Sequence, residues 1–93
     1  MKFLVKPTSQ FKKDYKLIIK RHLNKDLLQE VVALLADGKS LPEKYHDHAL
    51  IGNYANHREC HITNDWLLIY QIFNDVLVLE LTRTGSHSDL FNK

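Results

Sequence analysis

After Gly52 the apolar residues of this 93-residue chain change period, and that change limits the folds open to it. Before it, Phe11, Tyr15, Ile18, Ile19 and His22 recur at the spacing of a helix face, and Leu27, Leu28, Val31, Val32, Leu34 and Leu35 do so again. Beyond it, residues 57–63, 66–73 and 76–83 alternate at period two and read as strands, joined by tight turns at Asn64-Asp65 and Asn74-Asp75. A short strand over residues 2–6 is ended by Pro7. Thr8 or Ser9 caps the first helix, Asn24 caps the second, and Gly38 stops it. Residues 40–52 form a polar connection, and residues 84–93 a tail too polar for a strand, with the apolar pair Leu90-Phe91 near its end. The predicted architecture is α+β: two antiparallel helices packed on one face of a small, mostly antiparallel, twisted sheet, in one domain over residues 1–93.

Two-residue hairpins at both turns would set His61 opposite Leu68, Trp66 opposite Arg83, and Tyr70 opposite both Glu59 and Leu79. One sheet face then collects Glu59, His61, Trp66, Tyr70 and Arg83. The other collects Cys60, Ile62, Leu67, Ile69 and Val78, and receives the helices.

Charge is unevenly spread. Residues 1–25 hold eight basic groups against Asp14 alone, a net of +7, while the rest carry five basic and ten acidic groups, a net of −5. Lys12, Lys16 and Lys20 repeat on the solvent side of the first helix, which suits a polyanionic partner such as RNA and equally suits a plain solvated face. No apolar run approaches the roughly 18 residues that span a bilayer, and the amino end lacks a secretory pattern, so a cytoplasmic protein is expected. Cys60 is alone, which rules out an internal disulfide, and its strand setting reads as a small half-buried hydrophobe.

Six histidines are many for this length. His22, on the first helical stripe, reads as a core-edge residue; His46, His48, His57, His61 and His87 lie in the second half. His46-Asp47-His48 and the His57/His61 pair have the look of metal ligands, but an i,i+4 pair grips a metal only on a helix and this stretch reads as a strand, so no metal or cofactor is expected. Three glycines supply neither a nucleophile elbow nor a phosphate-cradling loop. Histidines, a carboxylate, an arginine and aromatics on one sheet face suit metal-free RNA cleavage. One group takes the 2′-hydroxyl proton, another protonates the leaving 5′-oxygen, a cation faces the charged phosphorane, and aromatics stack on unpaired bases.

Three blocks sharpen this reading. Asp47-His48-Ala49-Leu50-Ile51-Gly52, preceded by Leu41-Pro42 and Tyr45-His46, resembles the Asp-His-x-Leu-x-Gly segment of YafQ-type toxins in the RelE superfamily. Arg58-Glu59-Cys60-His61, followed by Asp65-Trp66-Leu67-Leu68-Ile69-Tyr70, is similar to their central signature. Gly85-Ser86-His87, followed by Leu90-Phe91, is similar to their closing one. The blocks stand in the family's order and cover about half the chain, although Asn64 replaces a proline common in the turn and Ala55-Asn56-His57 a glycine-containing stretch. The resemblance implies a RelE-like fold and a ribosome-dependent endoribonuclease that cuts mRNA and is silenced by an acidic antitoxin of the DinJ/RelB kind. It implies a catalytic set of His48, His61, Asp65, His87 and Phe91, with Trp66 and Arg83 contacting RNA. His87 is then the general acid, and His61 or His48, with or without Asp65, stands on the base side. His46 and His57 receive no role from the family and read as exposed bystanders.

Each residue also has a plainer reading. Asp65 forms turns, Trp66 packs sheets, Arg83 pairs with Glu80 or Glu59, and Phe91 anchors the tail. His87, in a polar tail without core periodicity, is the hardest to explain structurally. Two other functions suit the same fold: a ParE-like toxin that poisons gyrase by binding, and a decayed toxin that only binds its antitoxin. The retained His48, His61, Asp65 and His87 favour the nuclease over both.

Overall fold

The computed structural model describes residues 2–91; Met1, Asn92 and Lys93, which the single-domain reading takes in, lie outside the described residues. Strand β1 (Leu4–Pro7) leads into helices α1 (Ser9–Lys20) and α2 (Lys25–Ala36). Strands β2 (His48–Ala49), β3 (Arg58–Thr63), β4 (Trp66–Phe73) and β5 (Val78–Gly85) follow, and then helix α3 (His87–Phe91). The five strands lie in the order β1-β5-β4-β3-β2, with β1 parallel to β5 and the other pairs antiparallel. This is the expected α+β arrangement. No helix among the described residues is long and apolar enough to cross a membrane.

Local chemistry explains the helix ends. The Thr8 hydroxyl accepts from the Phe11 N–H at 2.9 Å and the Asn24 amide oxygen from the Asp26 N–H at 3.0 Å, each satisfying a first-turn donor. Gly38, at φ +75°, closes α2: its N–H donates to Leu35 O, and the Lys39 N–H reaches back to Leu34 O. His22 takes the same left-handed position after α1 (φ +62°), with Leu23 N–H on Ile18 O. His22 is therefore exposed and ends the helix; it does not sit on the apolar stripe. Asp14 occupies that stripe in place of Ile19, which is 43% exposed.

The sheet register departs from the expected one. The Asn64-Asp65 turn has two residues, with Thr63 opposite Trp66, but a bulge at Ile62 then sets His61 opposite Leu67 and Tyr70 opposite Arg58. The next turn spans residues 74–77, not two residues, and is tipped by exposed Val76 and Leu77. A second irregularity between Ile69 and Tyr70 follows, so Arg83 faces Ile69 and Trp66 has no partner in β5. The faces therefore sort differently. Cys60, Ile62, Trp66, Leu68, Tyr70, Leu79 and Leu81 face the helices and pack with Phe11, Ile18, Leu28, Val31 and Leu35. Leu67 and Ile69 lie on the opposite face under Leu90 and Phe91 of α3, with Leu50 and Tyr54. The central strand is thus covered on both sides, which is why Leu67, Leu68, Ile69 and Tyr70 are all buried.

Candidate active site

Glu59 and His61, two residues apart on β3, share the face opposite the α1/α2 layer. The two-residue strand β2 lies beside them and pairs His48 with Glu59. Glu59 is only 5% exposed, and its carboxylate is met by His48 Nε2 at 3.2 Å and His61 Nε2 at 3.4 Å. An acceptor-only group thus orients two imidazoles that remain partly open to solvent.

His87 reaches this group from the far side. It opens α3, a one-turn helix held by a reciprocal cap: Asp89 N–H donates to Ser86 Oγ at 3.1 Å, and Ser86 N–H to Asp89 Oδ2 at 2.9 Å. Arg21, just past α1, grips the same carboxylate through two hydrogen bonds, at 2.6 and 3.1 Å. Asp65, at the tip of the β3–β4 turn, accepts from the His87 backbone N–H at 3.0 Å and faces its Nδ1 at 2.6 Å. Those bonds, the backbone one first, hold the Asp65 carboxyl below its ordinary range. The His87 ring centre lies 5.7 Å from that of His61. Two histidine–carboxylate units, one buried and one exposed, therefore face each other across one patch.

A third set holds the loop before β2. Asp47 accepts Tyr70 OH at 2.5 Å and Arg58 Nε and Nη2 at 3.2 and 3.1 Å. Burial and the Asp47 carboxylate push the Tyr70 phenol well up, so it is a fixed donor. This clamp sits between His46 and His48. His46, at φ +48°, presents its ring edge-on to His61 at 5.6 Å, and His48 lies 6.4 Å from His61 on another side. Three imidazoles thus surround His61.

Residues 3–92 match the family described as "Bacterial toxin of type II toxin-antitoxin system, YafQ". The chain belongs to the YafQ toxin family. It is 39% identical over 85 residues to the mRNA interferase toxin YafQ of Escherichia coli K12, covering 90% of each protein. The YafQ chain of the E. coli DinJ–YafQ complex superposes with a TM-score of 0.88 at 36% identity, over 96% of this chain and 98% of that one. A metal-bound toxin from Helicobacter pylori superposes at 0.90 with 42% identity, over 96% and 99%.

Within this YafQ fold the residues singled out in the sequence separate into groups. His48, His61, Asp65 and His87 come together on one patch, while Phe91 packs half-buried on the same face, edge-on to Tyr54 at 6.0 Å. Trp66 does not join them. It is 2% exposed on the helix side, with its indole N–H on Thr84 Oγ1 at 2.9 Å, because the β3 bulge turns it inward; it offers no face to a base. Arg83 pairs with neither Glu80 nor Glu59: its guanidinium lies on Asp14 through bonds of 3.0 and 2.9 Å, beside Tyr54. Lys12, Lys16 and Lys20 are exposed on α1, in the layer across the sheet from the imidazoles. Cys60 is fully buried, and its thiol is pushed up to about 12, chiefly by burial.

Sequence reasoning placed Glu59 on the His61 face without giving it a role, and it read His46 as an exposed bystander because nothing local marked it. It also missed a possible metal grip. His48, Glu59 and His61 bring one ligand atom each within 4.8 Å of one another, a donor set that suits a borderline divalent ion.

Proposed function

We propose that the chain is an mRNA interferase, an endoribonuclease that cuts translated messages on the ribosome by general acid–base chemistry, and that an acidic antitoxin of the DinJ kind silences it. The observation that carries this reading is the pair of histidine–carboxylate units whose imidazoles face each other 5.7 Å apart. The activity named for the E. coli relative and the DinJ partner in its solved complex support it.

The roles in this proposal follow from the carboxylate that each imidazole faces. His61 faces Glu59 with Nε2 at 3.4 Å, so Nδ1 is the nitrogen that takes the 2′-hydroxyl proton, and the imidazolium that forms lies against the Glu59 carboxylate. The freed 2′-oxygen attacks the adjacent phosphorus. His87 faces Asp65 with Nδ1 at 2.6 Å, so Nε2 is the nitrogen that gives a proton to the departing 5′-oxygen. The P–O5′ bond breaks, leaving a 2′,3′-cyclic phosphate and a 5′-hydroxyl. His48 shares Glu59 and orients the base side. Arg83 stands in the cross-strand row Glu59–Ile69–Arg83, about 10 Å from Glu59 at two strand spacings, and, with its guanidinium held on Asp14, it offers its remaining N–H donors to a flanking phosphate. Phe91 offers a half-open ring to a base. The α1 lysines, on the far layer, dock the toxin on ribosomal RNA or on the antitoxin and do not touch the reacting phosphate.

His48, Glu59 and His61 would hold a divalent ion if one bound, and it would supply Lewis-acid polarisation there. The test of the proposal is inducible expression with mapping of new 5′ ends on translated messages. Ends within reading frames that vanish when translation is blocked are expected; growth arrest without such ends would refute it.

A further inference from the structure

Beside the catalytic patch, between the first half of α2 and the β3–β4 turn, the surface folds into a cleft of about 260 Å³. At about 30 Å³ per water this is the space of roughly nine waters, room for one nucleobase. His46 and His61 form one wall, Leu27 and Ile62 give an apolar surface, and Glu30 and Asn64 stand among the polar groups.

We infer that this cleft is a nucleobase subsite, and that it takes the base of the nucleotide on the 5′ side of the cut. The inference rests on the nuclease reading above and adds to it a place for base recognition. His61 belongs both to the catalytic group and to the cleft wall, whereas His87 does not line it. The cleft therefore opens on the side that receives the 2′-hydroxyl proton, away from the side that protonates the leaving oxygen. A nucleotide whose 2′-hydroxyl meets His61 has its base within one sugar's reach of this opening.

The lining suits an unstacked base. Apolar Leu27 and Ile62 meet a ring face, and the edge-on imidazoles of His46 and His61 close the other wall. Glu30 is an acceptor-only carboxylate, so it favours a base with an exocyclic amino group over uracil, while the Asn64 amide both donates and accepts. Lys44, its ammonium 5.0 Å from the Tyr45 ring centre, adds positive charge for the phosphate entering from the 5′ direction. The His46 backbone is left-handed, a conformation that side chains with a Cβ seldom adopt, and the Asp47 clamp next to it keeps the ring on the wall.

The test uses full-length toxin, ribosomes, and a message library randomised at the cut codon, with sequencing of the 5′ ends. Wild type should disfavour uracil just 5′ of the cut. Glu30→Ala should reduce that discrimination roughly tenfold, the scale of one good edge contact. Leu27→Trp, filling the cleft from a residue that is 38% exposed, should raise KM for every message. Gln29→Ala, exposed on α2 outside the cleft, should change neither. If all variants cut with the wild-type distribution at that position, or shift only the 3′ neighbour, the subsite is overturned and the nuclease stands. If wild type leaves the library uncut, the nuclease reading itself has failed and the subsite falls with it.

Discussion

Replacing Tyr70 by phenylalanine removes one oxygen atom from a side chain that is fully buried. That oxygen donates to Asp47 at 2.5 Å, and the same carboxylate keeps its bonds from Arg58 Nε and Nη2 after the change. The ring still fills its place, so the cavity term is small. A hydrogen bond to a charged group contributes about 1.5–3 kcal/mol, and the lower end applies because Asp47 is not left orphaned. A loss of about 1.5–2 kcal/mol in a domain of this size lowers Tm by roughly 6–15 °C. Urea denaturation should show a lower midpoint with an unchanged slope, since the surface exposed on unfolding is the same. The clamp also sets the loop carrying His46 and His48, so kcat should fall by up to roughly tenfold, about 1.4 kcal/mol of lost preorganisation. A Tyr70→Phe protein within about 2 °C of the wild-type Tm would refute the clamp, because a bond of this kind cannot contribute so little.

Acid should loosen α3. The Arg21 guanidinium, followed by the Ser86 contacts, holds the Asp89 carboxyl well below its ordinary range, so this contribution is complete above about pH 4 and is lost as pH falls through the lowered value. The Leu90 amide, bonded to Ser86 O, should lose exchange protection as the pH drops; steady protection down to pH 2 would count against the tether. Changing Lys12, Lys13, Lys16 and Lys20 to glutamine should weaken ribosome or antitoxin binding and flatten its salt dependence, and an unchanged slope for both partners would return these lysines to solubility alone. A chelator selective for transition metals, with magnesium kept for the ribosome, should leave cleavage intact, whereas added zinc or copper should inhibit by occupying His48, Glu59 and His61. Loss of activity in the chelator with rescue by one of these ions would reverse the assignment.

The helical half of the fold was legible because its signals are local. Thr8, Asn24 and Gly38 act within one turn of their own helices. The sheet was legible in its strands but not in its pairing: a single extra residue at Ile62 turns Trp66 and Tyr70 to the other face, and no propensity marks it. Apolar Val76 and Leu77 at the second turn imitate the start of β5. For α3 the signal was present and overlooked, since Ser86-His87-Ser88-Asp89 has the spacing of a capping box. His48, His61, Asp65 and His87, which meet on one patch, were readable through family blocks. Glu59 was readable beside His61 on one face, but its contact with His48 through a two-residue strand, and the reach of His46 to His61 across a left-handed turn, were not.

The most direct test of acid–base cleavage is His87→Ala assayed on ribosomes programmed with a defined message. The side chain is about two-fifths exposed and makes its one strong bond to an exposed carboxylate, so its removal should leave folding and antitoxin binding intact. Cleavage should fall by at least roughly a hundredfold, the lower end for a lost general acid. His87→Gln, which keeps a hydrogen-bond donor but cannot titrate, should recover little of it, and His57→Ala, outside the patch, should match wild type. A folded His87→Ala protein that cuts the message as fast as wild type would contradict the assignment of the acid.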